Sequence, residues 1–256
     1  CGLIYPSSGQ VLVAGHQPQR RHPDFLRRIT LVMGQKQQLI WDLPPMDSLR
    51  VNAAVYGIPD RVASRRIAEL SDLLELGEEL TRPVRKLSLG QRMKAELLAA
   101  LLHEPEVLFL DEPTLGLDVN AQLRVRQFLA EYNRRTGATI LLTSHYMADI
   151  TALCPRVLLI HQGQLFHDGP LDRLTSRLAP ERHVRLELEQ PAPAEAFNGL
   201  GHLDSLENCE VNLRVDPASL TRVLAQILER FEVRDLEVND PPIDQLIGEL
   251  FRQGSL

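Results

Sequence analysis

The chain has 256 residues, 44% hydrophobic and 24% charged, with Lys+Arg 28 against Asp+Glu 34. That composition supports a buried core and excludes collagen, coiled-coil and disordered classes. No run approaches the roughly 18 apolar residues that span a bilayer, and a net charge of -6 argues against nucleic acid as a main partner. Cys1, Cys154 and Cys209 are too scattered for a disulfide framework or a metal cluster and suggest a reducing compartment. No secretory signal pattern is visible, and the chain opens on Cys1-Gly2-Leu3-Ile4 as though cut from a longer one.

In chain order, Val11 to Ala14 predicts a short strand and Ile29 to Met33 a second, closed by Gly34. Residues 46 to 103 predict helices: Ile67, Leu70, Leu73 and Leu74 recur at helical spacing, as do Met93, Leu97, Leu98 and Leu101, and Pro105 stops the latter segment. Val107 to Leu110 and Ala138 to Thr143 are continuous apolar runs flanking a helix, Asn120 to Arg135, whose apolar face is Val125, Phe128, Leu129 and Tyr132. Strands apolar at consecutive positions predict a parallel sheet buried on both faces, hence an α/β core. Val157 to Ile160 and Leu165-Phe166 around Gln162-Gly163-Gln164 read as a hairpin closing that core.

Beyond residue 180 the charge changes. Residues 1 to 180 carry 21 Lys/Arg against 19 Asp/Glu, net +2, whereas residues 181 to 256 carry 7 against 15, net -8. A domain boundary is expected there, followed by a small α+β appendage: strands at His183 to Glu189, Glu210 to Val215 and Leu236 to Val238, a helix from Pro217 to Phe231, and a last helix after Pro241-Pro242.

Five places carry chemistry. Asp111 and Glu112 end an apolar strand, at the carboxyl edge where open α/β sheets bind ligands; an acid there can hold Mg²⁺ and a neighbour can deprotonate an attacking water. A solvated strand end is the simpler reading of the pair alone. Ser88 and Gln91 have capping-box spacing ahead of the helix, and the free donors of that terminus, with Gly90 leaving the backbone open, also suit an anion. His145 leaves the end of the next apolar run, where an imidazole can hydrogen-bond a phosphate. Gln35 follows Gly34 with an amide able to bind a metal water and an attacking water, although Gln37 and Gln38 compete for that part. Asp118 opens the next helix after Gly116-Leu117, as a cap or more.

In this order the residues resemble the nucleotide-binding subunit of an ATP-binding cassette (ABC) transporter. Gln35 matches the Q-loop, Leu87 to Gln91 the signature, Val107 to Glu112 the Walker B strand, Leu115 to Asp118 the D-loop and His145 the switch histidine. The resemblance covers about residues 1 to 170; the acidic tail is similar to the C-terminal domain of ABC-2 export ATPases. It implies an ABC-type RecA-like P-loop ATPase core over 1-180, with a helical subdomain at about 44-92, and a small accessory domain over 181-256. It implies ATP and Mg²⁺ as ligands, with Asp111 and Gln35 on the metal, Glu112 as general base, and His145 on the γ-phosphate. Ser88, Gly90, Gln91 and Asp118 would serve nucleotide across a head-to-tail homodimer. A separate ABC-2 permease would be the membrane partner, placing the subunit at the cytoplasmic face of the cell membrane.

The sequence departs from the pattern in two ways. Leu89 stands where the family has glycine, and no G-x-x-x-x-G-K-[ST] occurs, the loop that cradles β- and γ-phosphates. The chain therefore reads as an N-terminally truncated ATPase that as written binds ATP poorly. Trp41, near the helical joint, is either core or a contact residue. A soluble ABC-type ATPase outside transport, or a non-catalytic regulatory module, are the competing functions.

Overall fold

The computed structural model describes residues 1–34, 38–178 and 181–239. Packing divides the chain into two compact units, Cys1–Cys154 and Pro155–Leu256.

In the first unit a short helix α1 (Pro23–Arg28) leads into β1 (Ile29–Met33). The helical layer follows: α2 (Pro45–Tyr56), α3 (Asp60–Leu74), two 3₁₀ turns at Glu78–Thr81 and Val84–Lys86, and α4 (Leu89–Leu101). Proline supplies the entry to α2, its fixed φ suiting the first helical turn, and Gly57 ends it in the left-handed region. Then come β2 (Val107–Asp111), α5 (Val119–Thr136), β3 (Thr139–Thr143) and α6 (Met147–Leu153). The three strands form one parallel sheet in the order β1-β2-β3.

The predicted apolar stripes are the buried ones. Ile67, Leu70 and Leu74 of α3, Met93, Leu97, Leu98 and Leu101 of α4, and Val125, Phe128, Leu129 and Tyr132 of α5 share one cluster with Val32, Leu108 and Leu110 of the sheet. Each fully buried leucine contributes about 1.5–3 kcal/mol of transfer free energy, so this cluster fixes where the strand ends lie.

Two expectations fail in this unit. Val11 to Ala14 is no strand: the segment makes one isolated bridge, Val13 to His16, because Ala14 and Gly15 both turn at positive φ and no second strand among the described residues lies alongside. Nor is the sheet buried on both faces. Along β3 burial alternates, and Leu141 is half-exposed. Phe109 and Leu141 open instead into a cleft of about 900 Å³ that Leu12 and Val13 also line.

The second unit contains the expected hairpin, β4 (Val157–His161) and β5 (Gln164–Gly169). Gln162 and Gly163 turn it with φ of 49° and 76°, the paired positive values of a two-residue hairpin loop. After α7 (Leu171–Leu178), β6 (Arg182–Leu188), β7 (His202–Glu207), β8 (Glu210–Val215) and β9 (Val233–Asn239) form an antiparallel sheet ordered β7-β8-β6-β9. Its apolar face is buried with Val223 and Ile227 of α8 (Leu220–Arg230). Strand β7 went unpredicted: a register shift between Leu203 and Ser205 puts its two leucines three apart, which hides the period of two. The helix expected after Pro241-Pro242 lies outside the described residues.

Candidate functional site

Parallel register brings the chemistry together. Asp111, the last residue of β2, pairs with Met33 on β1 and Thr143 on β3. The Thr143 hydroxyl donates to Asp111 Oδ1 at 2.7 Å, which fixes one carboxylate oxygen at the strand end. Glu112 follows with φ of 51°, a left-handed conformation costing a non-glycine residue of order 1–3 kcal/mol. It is held there because its N–H donates to the Thr143 carbonyl at 3.1 Å and meets the Thr143 hydroxyl at 3.2 Å. His145, two residues past β3, places Nε2 at 2.6 Å from Glu112 Oε1. The imidazole is mostly exposed and the carboxylate three-quarters covered, so the acid is sheltered while the ring faces solvent.

Gly34 belongs to the same edge. Its N–H donates to the Asp111 carbonyl at 3.0 Å, and a Cβ there would stand 2.6 Å from the Glu112 carbonyl oxygen. Only glycine admits this approach without moving Glu112. Gln35 lies outside the described residues, as does Gln37.

The second group sits at two helix N-termini. Ser88 caps α4 in a reciprocal box: Gln91 N–H donates to Ser88 Oγ at 3.2 Å and Ser88 N–H to Gln91 Oε1 at 3.0 Å. Gln91 also donates to Glu79 Oε1 at 3.0 Å; the carboxyl of Glu79 is lowered, first by its own backbone N–H. Asp118 caps α5, accepting from Ala121 N–H at 2.9 Å. The two termini lie side by side, since a Cβ on Gly90 would meet Ala121 Cβ at 2.9 Å and one on Gly116 would meet Leu89 Cδ2 at 3.2 Å. Leu89, the odd residue of its motif, thus leans on the loop that carries Asp118.

The sequence gives no site role to Thr143, Glu96 or Asp149, and reads Gly34 only as the end of a strand. Glu96 is buried on α4 and accepts from the N–H groups of Gln38 at 2.9 Å and Leu39 at 3.3 Å. Burial pushes its carboxyl up, against the two N–H bonds and Arg92. An acid among Ala95, Leu97 and Leu98 was the available signal, since charges are almost never buried without a partner. Trp41 is not core: it is half-exposed, with the Arg92 guanidinium 5.5 Å above its ring.

Among the described residues no three His, Cys, Asp or Glu side chains are gathered as a metal site. A magnesium ion arriving on nucleotide needs only one or two carboxylates, with phosphates and water completing its shell. The exposed Asp111 carboxylate at a strand edge fits that demand.

A parallel sheet ending in an acid pair, faced by an imidazole from the turn after the next strand, fits the nucleoside-triphosphatase core that the sequence resemblance implies. Residues 1–115 match the family model described as ABC transporter, and residues 180–239 match the C-terminal domain of EvrA-like ABC transporters. The chain is 28% identical over 254 residues to the linearmycin resistance ATP-binding protein LnrL of Bacillus subtilis, covering 96% of this chain and 81% of that one. It is 31% identical over 172 residues to the ABC transporter ATP-binding protein NatA of the same organism, covering 67% and 70%. A solved ATP-binding subunit of an ABC transporter superposes with a TM-score of 0.61 at 27% identity, covering 69% of this chain and 72% of that one.

The chain belongs to the ATP-binding proteins of the ABC transporter family. It is an ATP-binding subunit, and members of this family are ATPases coupled to transport. Such subunits bind ATP with Mg²⁺, dimerise and work with membrane permeases. No helix among the described residues is long and apolar enough to cross a membrane.

Proposed function

We propose that this subunit hydrolyses MgATP in a head-to-tail homodimer to drive export through a separate ABC-2-type permease at the cytoplasmic face of the membrane. The observation that carries the residue roles is the 2.6 Å contact between His145 Nε2 and Glu112 Oε1 beside Asp111.

Asp111 would hold the magnesium that arrives with the nucleotide, an ion that would offset charge on the phosphate oxygens. Glu112 takes a proton from the attacking water as that water bonds to the γ-phosphorus and the bond to the ADP oxygen breaks, giving ADP and phosphate. His145 donates to the γ-phosphate and, through its contact with Glu112, keeps the base aimed. Gln35 reports on metal and water. Ser88 and Gly90 of one copy meet the γ-phosphate held by the other, where the positive end of α4 favours an anion. Gln91 shapes that cap, and Asp118 signals across the dimer. Closing and opening the pair then shifts the permease between two states.

The ATPase part is drawn as 1–180, with a helical subdomain of about 44–92, and the accessory part as 181–256; the charge change and the start of the second family match at residue 180 support it. The likeness to LnrL, a linearmycin resistance protein, supports an antibiotic-like exported compound. The test is Mg²⁺-dependent phosphate release by the complete protein with and without its permease. Turnover should rise with the permease and fall at least about 100-fold in Glu112→Gln. Unchanged turnover in that variant removes Glu112 from its role.

A further inference from the structure

Asp149 is a fully buried carboxylate to which the reaction above gives no part. It lies on α6, one helical turn past His145, and receives three donors from three different elements. The Thr114 hydroxyl, from the loop after Glu112, donates to Oδ2. The Ser144 hydroxyl, adjacent to His145, donates to the same oxygen at 2.7 Å. The guanidinium of Arg126, from α5, donates to Oδ1 at 2.9 Å and is itself largely covered. Thr114 is as buried as Asp149, so neither side chain has water as an alternative partner.

A carboxylate wholly withdrawn from water requires a counter-charge and filled lone pairs. Arg126 supplies the charge and the hydroxyls fill the remaining acceptor sites. The consequence for the site is mechanical. Thr114 lies two residues past Glu112, in a turn closed by Leu115 N–H on the Glu112 carbonyl at 3.2 Å and Leu117 N–H on the Thr114 carbonyl at 3.2 Å. Ser144 precedes His145, and its Oγ also receives Tyr146 N–H at 3.0 Å, so His145 sits between two atoms tied to one point. The turn carrying Glu112 and the turn carrying His145 are thereby joined through a single buried group.

We infer that Asp149 is a positioning residue: with Ser144 and Thr114 it sets the distance between the Glu112 carboxylate and the His145 imidazole, and it makes the loop from Thr114 to Asp118 move together with the histidine turn. Asp149 touches no reacting atom; it acts through His145 and Glu112, and the inference rests on the roles proposed for them. Loss of the hub therefore affects the chemical step and leaves nucleotide affinity in place.

The experiment measures steady-state hydrolysis of MgATP by the complete protein with its permease, for Asp149→Asn, Ser144→Ala, Ser144→Thr and His145→Ala, with a melting temperature for each. Asp149→Asn keeps the shape but loses the charge facing Arg126. Ser144→Ala removes the hydroxyl that ties the histidine turn to Asp149, together with its bond from Tyr146 N–H, and leaves the buried pair with Arg126 intact, which keeps the test open should Asp149→Asn fold poorly. Expected for Ser144→Ala is a kcat about 5- to 20-fold lower with KM for MgATP within about twofold, as for an interaction made in the transition state alone. Its melting temperature stays near that of the parent, and Ser144→Thr, which restores a hydroxyl, recovers most of the rate. The inference is overturned if Ser144→Ala keeps its kcat while His145→Ala loses it. It is equally overturned if the rate loss follows the melting temperature and threonine does not rescue it. Retained turnover in His145→Ala is a separate result: it refutes the histidine role itself.

Discussion

At the scale of single residues the site depends on two backbone facts, the left-handed φ of Glu112 and the absence of a side chain at Gly34. A methyl group on Gly34 would press on the Glu112 carbonyl at 2.6 Å, so Gly34→Ala must displace the turn that aims the acid. Misplacement on the ångström scale costs up to about 100-fold in rate; Gly34→Ala is expected to lower kcat at least about 10-fold, with KM for MgATP little changed, in a phosphate-release assay. His103 offers a titration instead. Its ring stacks on Tyr56 with centroids 3.9 Å apart, Nε2 lies 3.2 Å from the Ile29 carbonyl, and Nδ1 is buried with no partner. Burial lowers its pKa below the ordinary imidazole value of about 6.5, so the unfolded chain takes up a proton that the folded ring refuses. The sign follows: stability is full above pH 6.5 and falls as pH drops through the depressed folded value. Melting temperature should decrease from pH 7.5 to pH 5.5, and His103→Gln should flatten that decrease.

At the scale of elements, the capping box of α4 separates structure from function. Ser88→Ala removes one side of the box and should cost about 1 kcal/mol, or about 2–4 °C in melting temperature for a unit of this size. Aspartate caps as well as serine. Ser88→Asp should therefore melt near the parent, yet lose ATP turnover at least about 10-fold because a fixed negative charge faces the phosphate. If Ser88→Asp turns over ATP normally, the cap is all that Ser88 provides. The elements themselves were legible where the local pattern was intact: the stripes of α3, α4 and α5 read correctly because a helix repeats its buried face every three or four residues. β7 was missed because its bulge interrupts the alternation, and Val11 to Ala14 was overread because an apolar run says nothing about whether a neighbouring strand exists to pair with it.

At the scale of the whole molecule, function turns on association. On the proposed roles of Ser88 and Gly90 at the nucleotide of a second copy, a variant that binds ATP without hydrolysing it should stay dimeric. Glu112→Gln with MgATP is expected to elute at twice the monomer mass by light scattering, and to return to monomer when nucleotide is removed. A monomer in both conditions would refute the two-copy site.

The order of the motifs, the acid pair at a strand end, the serine cap and His145 after an apolar run were all present in the sequence, because each is a local pattern of a few residues. The family resemblance rests on those patterns. Which groups meet was decided only by tertiary structure: parallel register sets Asp111 against Thr143, the turn after β3 delivers His145 to Glu112, and Asp149 gathers donors from three segments. Apart from Ser144, which lies 5 residues before Asp149, those contacts link residues 23 to 35 positions apart, and no periodicity within a single segment encodes them. The same reason hides Glu96 in the sequence, since its partners, the N–H groups of Gln38 and Leu39, lie on a distant segment.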